Sequence, residues 1–407
     1  MTLDARSPQA ADLLAKVSQF MKDHVYPAEE LYEKQLAEGA ADFRVPPIFY
    51  DLQRRARLEG LWNLFLPESE FGAGLSNLEY APVAEEMGRV EWASAIFNCS
   101  APDTGNMEVL VRYGSQAQKD KYLAPLLEGK TRSSFAMTEP AVASSDATNI
   151  ATRIERDGDY YVVNGRKWFA SNAYHPDLAF YILMGRSSED APTHLRHSQL
   201  LIDANTPGIT KLRYTSVFGY SDLPRGHGEL LFEDVRVPTA NMLLREGAGF
   251  EIAQGRLGPG RIHHCMRIIG QCERMFEKMC RRLTTRTAFG RKLSQQGLWQ
   301  ERVAQARTEI NMARLLVLHT AGLMDRIGVK EARSEISQIK VACAQIGNRI
   351  ADMAIQAFGA AGLTDDFGLG YHYARMRVLR IADGPDEVHN RTIAKLELRR
   401  FEQESGK

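Results

Sequence analysis

The sequence predicts an α+β protein built in three successive parts: helices, then a β-domain, then a bundle of long helices. Three observations predict it. Apolar residues recur at helical spacing through the first third of the chain. Short β-branched and aromatic runs with turn signals fill the middle. Long, amphipathic, nearly proline-free stretches fill the rest. With 407 residues, 44% hydrophobic and 25% charged, the composition is that of a globular protein and argues against disorder.

The first part is read as residues 1–130. In PQAADLLAKVSQFMKDHVYPAEELYEKQ, the residues Leu13, Leu14, Val17, Phe20 and Met21 fall on one helical face. Further helical runs follow at PPIFYDLQRRARLEG, LSNLEYAPVAEEMGRV and SQAQKDKYLAPLLEG, with a turn at PESEFGAGL. The second part, 131–240, changes character. RIERDGDYYVVNGRKWFASNA holds two strand-like runs, each followed by a turn signal, DGD and then Asn164-Gly165. LAFYILMGR, HSQLLIDANTPGITK and GHGELLFEDVRVP continue the pattern, so about eight strands in a small barrel or sandwich are expected. The third part, 241–407, contains IHHCMRIIGQCERMFEKMCRRLTTR and two comparable stretches, all longer than an average helix.

Lys plus Arg and Asp plus Glu both total 51. That balance gives no global field to draw nucleic acid or an anionic membrane, so local basic clusters must do any phosphate binding. No apolar run approaches the roughly 20 residues a membrane span needs. The N-terminus has acids early and lacks a signal peptide's apolar core, so a cytoplasmic location is expected. The five cysteines, Cys99, Cys265, Cys272, Cys280 and Cys343, form no CxxC pair and read as buried helical thiols. The pair His263-His264 has no second ligand cluster near it, and no metal is expected.

Five short segments carry candidate chemistry. FAMTEPAVASSDATNI (135–150) supplies Thr138, Ser144, Ser145, Asp146, Thr148 and Asn149 beside small alanines. Such a stretch lets a backbone approach a ligand and bond to ring heteroatoms or phosphates, although plain loops share this composition. WFASN (168–172) sets adjacent aromatics beside Ser171 and Asn172; it suits one face and edge of a flat ring, or an ordinary β-core pair. RTAFGRKL (286–293) clusters Arg286, Arg291 and Lys292, which suits a pyrophosphate or a solvated turn. QAFGAAG (356–362) permits close backbone approach, or is a helix C-terminus capped by Gly. RIADGPDEVHN (380–390) holds three carboxylates around a Gly-Pro pair, a solvated turn or a site with a catalytic acid.

Together these segments resemble the acyl-CoA dehydrogenase family over almost the whole chain, in the same α, β, α order. The resemblance implies an N-terminal helical domain, a middle β-barrel or sandwich and a C-terminal four-helix bundle, with FAD as cofactor. It implies that Phe135, Met137, Thr138, Ser145, Phe169 and Ser171 line the flavin. Relatives often carry Trp at the position of Phe169, so the ring cover is smaller or shared with Trp168. Arg286, Phe289, Gln356 and Gly359 would reach the flavin of a neighbouring subunit, implying a homodimer or homotetramer. Asp386 and Glu387 stand where relatives contact the adenosine part of the flavin. Ser145 and Arg261 would bind CoA, Arg261 at its adenine end, and Gly384 would let the backbone approach the thioester. His389 reads as structural.

The family reaction is α,β-dehydrogenation of an acyl-CoA, with electrons passed to electron transfer flavoprotein. A carboxylate takes the α-proton, and the aligned position here is Asp383, where most relatives have Glu. A minority of relatives place the base on the long helix just ahead of an arginine; the matching Gly260, before Arg261, has no acid, and Glu251 misses that position by more than two turns. FAMTEP and VASSDATN with IADGPDEVH resemble the branch that carries Asp as base and in animals is fused to a phosphotransferase-like kinase domain. That branch is associated with 4-hydroxyacyl-CoA breakdown through a 4-phosphate and with medium, long or unusual chains. The kinase half is not in this sequence, so any such partner is expected to be a separate protein. A flavin oxidase or monooxygenase of acyl-CoA oxidase or nitroalkane oxidase type is the alternative on the same fold, and a non-catalytic scaffold the third reading.

Overall fold

The structure is a computed structural model describing residues 7–405, without the side chains of Leu257, Pro259, Glu404 and Ser405. The chain ends 1–6, with the early acid Asp4, and 406–407 lie outside the described residues. The chain forms two compact units. One comprises Met1–Pro27, Pro67–Ser94 and Arg261–Lys407; the other comprises Ala28–Leu66 and Ala95–Gly260.

The first unit is helical. Pro8–Phe20 begins at Ser7, whose hydroxyl accepts from the Ala10 N–H, and Asn77–Gly88 begins at Ser76 in a reciprocal capping box with Glu79. The Glu79 carboxylate also accepts from the Ser7 N–H at 3.3 Å, joining the two helix starts. Its carboxyl is held below the usual range, chiefly by a hydrogen bond with the Ser7 side chain.

The long helices follow. Gly249–Thr285 is succeeded by Gly297–Ile327, Arg333–Phe358, Leu369–Leu379 and Asp386–Ser405. Ile262, Cys265, Ile269, Cys272, Met275 and Met279 recur three or four residues apart and are all buried, the spacing a core-facing stripe needs. This stripe explains Cys265 and Cys272 as packing residues. The five cysteines are free thiols, all buried except the half-buried Cys280. Across this unit Arg314 joins Glu85 at 2.8 Å, and Arg307 joins Glu273 at 2.7 Å.

Gly270 sits where the Gly249–Thr285 helix crosses Asn77–Gly88. A Cβ there would lie 1.9 Å from the Glu85 carbonyl oxygen, a backbone atom that cannot swing aside. Gly270→Ala gains about 1 kcal/mol of helix propensity, but the two helices must separate. We expect the clash to win by about 1–3 kcal/mol, as overpacking does, and to lower the melting temperature by a few degrees in a thermal scan.

The second unit holds a seven-stranded sheet among the described residues. The strands are β1 (Arg132–Ala136), β2 (Arg153–Asp157), β3 (Tyr160–Ser171), β4 (Leu178–Arg186), β5 (His197–Asp203), β6 (Ile209–Thr215) and β7 (His227–Pro238). Their order is β1-β4-β2-β3-β7-β6, with β5 antiparallel to β4. β1 and β4 run parallel, Phe135 opposite Ile182. Val163, Ala170, Tyr181, Leu183, Leu200, Ile202, Leu230 and Phe232 form the apolar core of this sheet.

The expected turn at Asn164-Gly165 is absent: β3 runs straight through it, which merges two expected strands into one of 12 residues. Pairing with β7 shifts register between Val163 and Gly165 instead. The Asn164 amide bonds to Asp234 on β7, donating at 3.1 Å and accepting from its N–H at 2.8 Å, so the Asn-Gly pair makes a β-bulge. The DGD turn between β2 and β3 is as expected.

No helix among the described residues is long and apolar enough to cross a membrane.

Candidate active site

Asp383 lies in the link between the Leu369–Leu379 and Asp386–Ser405 helices, in the left-handed region at φ +55, followed by Gly384 at φ +101. Asp is among the few side chains that tolerate this conformation. Gly384 is required twice over, because a Cβ there would also lie 2.9 Å from the His389 ring nitrogen Nε2.

Four cationic or imidazole side chains hold this link. Arg261 Nε donates to the Asp383 carbonyl at 3.0 Å, and His389 Nε2 bonds to the same oxygen at 3.2 Å. Lys340 Nζ donates to the Gly384 carbonyl at 2.9 Å. The Asp383 carboxylate meets His264, Oδ2 to Nε2, at 3.2 Å, with both side chains little more than a fifth exposed. His264 Nδ1 lies 3.1 Å from Arg267 Nη2. An arginine only donates, so His264 Nδ1 is the acceptor and its Nε2 carries the proton offered to Asp383.

Burial disfavours the charged forms of the titratable groups in this shell. It pushes the His264 pKa down, Asp383 opposes that, and Arg267 and Arg375 reinforce it. His389 is lowered to about 4 by burial first, then by Arg261 and Lys340. Lys340 and Arg261 are also lowered, mainly by burial. The arrangement is an acid held by its carboxylate and by its own carbonyl. It can take a proton from a weakly acidic carbon brought within about 3 Å.

Next along the chain, Asp386 is buried at the first position of its helix, and its Oδ2 accepts from Arg380 at 2.7 Å and Gln345 at 3.2 Å. Its other carboxylate oxygen is buried without a partner among the described residues. Glu387 is exposed. Arg261, expected at the adenine end of CoA, has its Nε on the carbonyl of the candidate base.

A second group lies on the sheet of the other unit. β1 leads from Phe135 into Met137 and Thr138, whose carbonyls accept from Lys167 Nζ at 3.0 Å and from the Trp168 N–H at 2.9 Å. β3 shifts register between Lys167 and Ala170, and this second bulge turns Phe169 out at φ +50 with 42% of its surface exposed. The neighbouring Trp168 Nε1 is buried with no partner among the described residues. Arg256 covers the Phe135 ring at 4.0 Å. Ser171 ends β3, its hydroxyl 3.0 Å from His227 Nδ1, and His227 Nε2 lies 3.2 Å from Asp222. An exposed aromatic on a strained bulge, beside an indole N–H lacking an acceptor and an oriented hydroxyl, fits the edge and face of a flavin ring.

The loop from 139 to 152 is organised by Glu139. Its carboxylate accepts from the Ala151 and Thr152 N–H groups at 2.9 Å each and from Lys167 Nζ at 2.7 Å. Its own N–H donates to Ser144 at 2.8 Å, while Ser145 stays exposed.

A third set is exposed on the helical unit. Thr287–Ala288 and Arg291–Lys292 form a two-stranded hairpin whose tip, Phe289 at φ 54 and Gly290 at φ 77, matches a type I′ turn. Phe289 is fully exposed there, and Arg286 is exposed beside it. Gly359 caps the Arg333–Phe358 helix at φ +65, with Gln356 exposed one turn earlier. Arg282 joins the two segments, its guanidinium 5.2 Å from the Phe358 ring.

The residues missed from sequence are those that support others: His264, Arg267 and Lys340 around Asp383, Glu139 and Lys167 under the polar loop, and Asp222 with His227 behind Ser171. The His263-His264 pair offered a signal. His263 is core, edge-on to Tyr80 at 5.1 Å, so its neighbour one residue on must point elsewhere.

Comparison with known proteins identifies the family. The profiles of the acyl-CoA dehydrogenase N-terminal, middle and C-terminal domains match residues 7–130, 134–235 and 247–398. The mouse acyl-CoA dehydrogenase family member 10 is 52% identical over 97% of this chain, which spans 37% of that longer protein. FadE2 of Mycobacterium tuberculosis, named a probable acyl-CoA dehydrogenase, is 50% identical over 97% of both chains. A solved Mycobacterium abscessus structure named for the same enzymes is 49% identical, with a TM-score of 0.94 over 98% of this chain and all of that one. With three consecutive domains and a partner matched end to end, the chain belongs to the acyl-CoA dehydrogenase family of flavoprotein oxidoreductases.

Proposed function

We propose that the chain removes the α- and β-hydrogens of an acyl-CoA thioester to give the trans-2-enoyl-CoA, with Asp383 taking the α-proton. One observation carries it: Asp383 stands on a left-handed turn whose carboxylate and carbonyl are both held by side chains from other helices. Structures seldom hold a strained residue so firmly without a use for it. The α C–H bond breaks, its proton goes to the Asp383 carboxylate, and the electron pair left on carbon forms the new double bond. FAD, held by the sheet residues, would supply the acceptor for the β-hydrogen and its electron pair. Phe135, Met137, Thr138, Phe169 and Ser171 would line its ring, Ser145 would serve both FAD and CoA, and Gly384 would meet the thioester.

Asp at the base position and the similarity to the mouse family member 10 support the Asp-base branch. A medium- or long-chain acyl-CoA, or a 4-hydroxy- or 4-phosphoacyl-CoA, is the substrate class on that reading, and fatty acid β-oxidation the setting. Electron transfer flavoprotein would take the electrons, in the cytoplasm. The exposed Arg286, Phe289, Gln356 and Gly359 would complete the flavin site of a second subunit in a homodimer or homotetramer, with Asp386 and Glu387 near the adenosine part.

The test is an anaerobic titration of the purified yellow protein with straight-chain, 4-hydroxy and 4-phospho acyl-CoAs. Loss of the flavin absorbance near 450 nm is expected, at a rate that ranks the substrates. Retained absorbance with every thioester, or fast turnover in air without an added acceptor, would turn the assignment to an oxidase.

A further inference from the structure

We propose that His264 is the positioning residue for Asp383: a neutral imidazole, locked as the Nε2–H tautomer by Arg267, that fixes the carboxylate and holds it ionised. The inference deepens the reading of Asp383 as base and rests on it. Arg261, His264 and Arg267 are three residues apart on one helix, so neighbouring side chains of one helical face meet the link carrying Asp383. Arg261 takes the backbone carbonyl, His264 takes the carboxylate, and Arg267 takes the far nitrogen of His264. Each group in this chain can act in one sense only. Arg267 has no acceptor, so His264 Nδ1 has no place for a proton; its Nε2–H then donates, and Asp383 accepts.

The device suits a short base. An aspartate lacks the methylene with which a glutamate would reach a substrate, so it depends on a fixed backbone and a fixed carboxylate plane. The left-handed backbone is held by Arg261, His389 and Lys340. His264 meets the carboxylate itself. A donor to the charged form also stabilises it relative to the acid.

The groups facing the pair come from every packed element. Arg261 and Arg267 lie on the same helix, Lys340 on Arg333–Phe358, Arg375 on Leu369–Leu379 and His389 on Asp386–Ser405. Arg375 is itself paired with Glu91 at 3.1 Å. Being mostly cationic, they disfavour a second proton on His264, so it acts as a donor and not as a charge partner.

The test uses the FAD-loaded protein and rapid anaerobic mixing with an acyl-CoA that reduces it. His264→Phe should keep FAD and acyl-CoA affinity. It should slow flavin reduction on the order of 10²-fold, as misplaced catalytic groups do. The acid limb of its pH profile should move up by about one unit, since losing the donor makes the carboxylate more basic. His264→Gln, which keeps an N–H, should recover part of both. Arg267→Met should move both in the same direction by less; should His264→Phe not fold, Arg267→Met and His264→Gln carry the test.

Wild-type rate and pH profile in His264→Phe would overturn the proposal. So would multiplication of the His264→Phe and Asp383→Asn effects in the double variant, because a residue acting through Asp383 has nothing left to position once the carboxylate is gone. Failure of the base reading looks different: Asp383→Asn alone would then reduce its flavin normally, whatever His264→Phe does.

Discussion

Asp383→Asn is expected to give a folded, yellow protein whose flavin is reduced by acyl-CoA on the order of 10³-fold more slowly than in the wild type. The size follows from what the substitution removes. Asparagine, like aspartate, tolerates the φ of +55 found here, so the backbone has no reason to move. Arg261 and His389 bond the carbonyl of residue 383, which every residue has. The asparagine oxygen can still accept from His264. The anionic oxygen is the one thing lost, and with it the ability to take a proton from a weakly acidic carbon. Stopped-flow reduction under anaerobic conditions reads this directly, with the flavin spectrum as the control for folding. Asp383→Ala would confuse the two, since alanine in this region is strained by roughly 1–2 kcal/mol. Asp383→Glu keeps the charge but carries it one methylene further; part of the activity, or a changed preference for chain length, is expected. Reduction of Asp383→Asn at the wild-type rate would place the proton acceptor elsewhere.

The helical ends and β middle were legible because each repeats at its own period, and Asp383 became a candidate only through the family resemblance of IADGPDEVH. What escaped depends on distant partners. Asn164-Gly165 has the composition of a hairpin turn, yet Asp234, 70 residues away, captures the Asn164 amide and makes a bulge. Arg261 bonds to Asp383 across 122 residues; no local pattern announces such a contact. His264 looked like half of an unexplained histidine pair. RTAFGRKL looked like a basic turn, because the hairpin depends on Phe289 adopting a positive φ that phenylalanine rarely takes. Glu139 and Lys167 were hidden most fully. Each is a charged residue in a plausible surface position, and only the fold buries them together.

That pair supports the second large effect. Lys167→Met should destabilise the β-containing unit by about 3–5 kcal/mol, the usual result of removing one partner of a buried ion pair. The Lys167 side chain is fully buried and that of Glu139 is 4% exposed, at 2.7 Å. Burial pushes the Lys167 pKa down to about 8 in spite of Glu139, so attraction does not fully offset desolvation. The pair is kept for shape: Glu139 gathers the Ala151 and Thr152 N–H groups, and Lys167 gathers the Met137 and Met184 carbonyls. Without the ammonium, a carboxylate and two carbonyls are stranded in the interior. At about 2–4 °C per kcal/mol for a unit of this size, the melting temperature should fall by on the order of 10 °C, and bound FAD should fall with it if the loop lines the flavin. The pH dependence gives a second check. The unfolded chain keeps the Lys167 proton up to its ordinary 10.5 while the folded chain loses it near 8, so this group makes stability rise with pH in that window, and Lys167→Met should flatten the rise. Glu139 acts in the same direction at the acid end. Burial raises its pKa, but Lys167 and Thr152 outweigh that and hold it below the usual 4.5. Its contribution is present above that value and lost as the pH falls through the lower folded one. Lys167→Met with Glu139→Gln removes both charges and leaves the amide oxygen to accept from the loop. The double variant should therefore be more stable than Lys167→Met alone; equal stability would mean that the stranded carboxylate is not what the single variant suffers from.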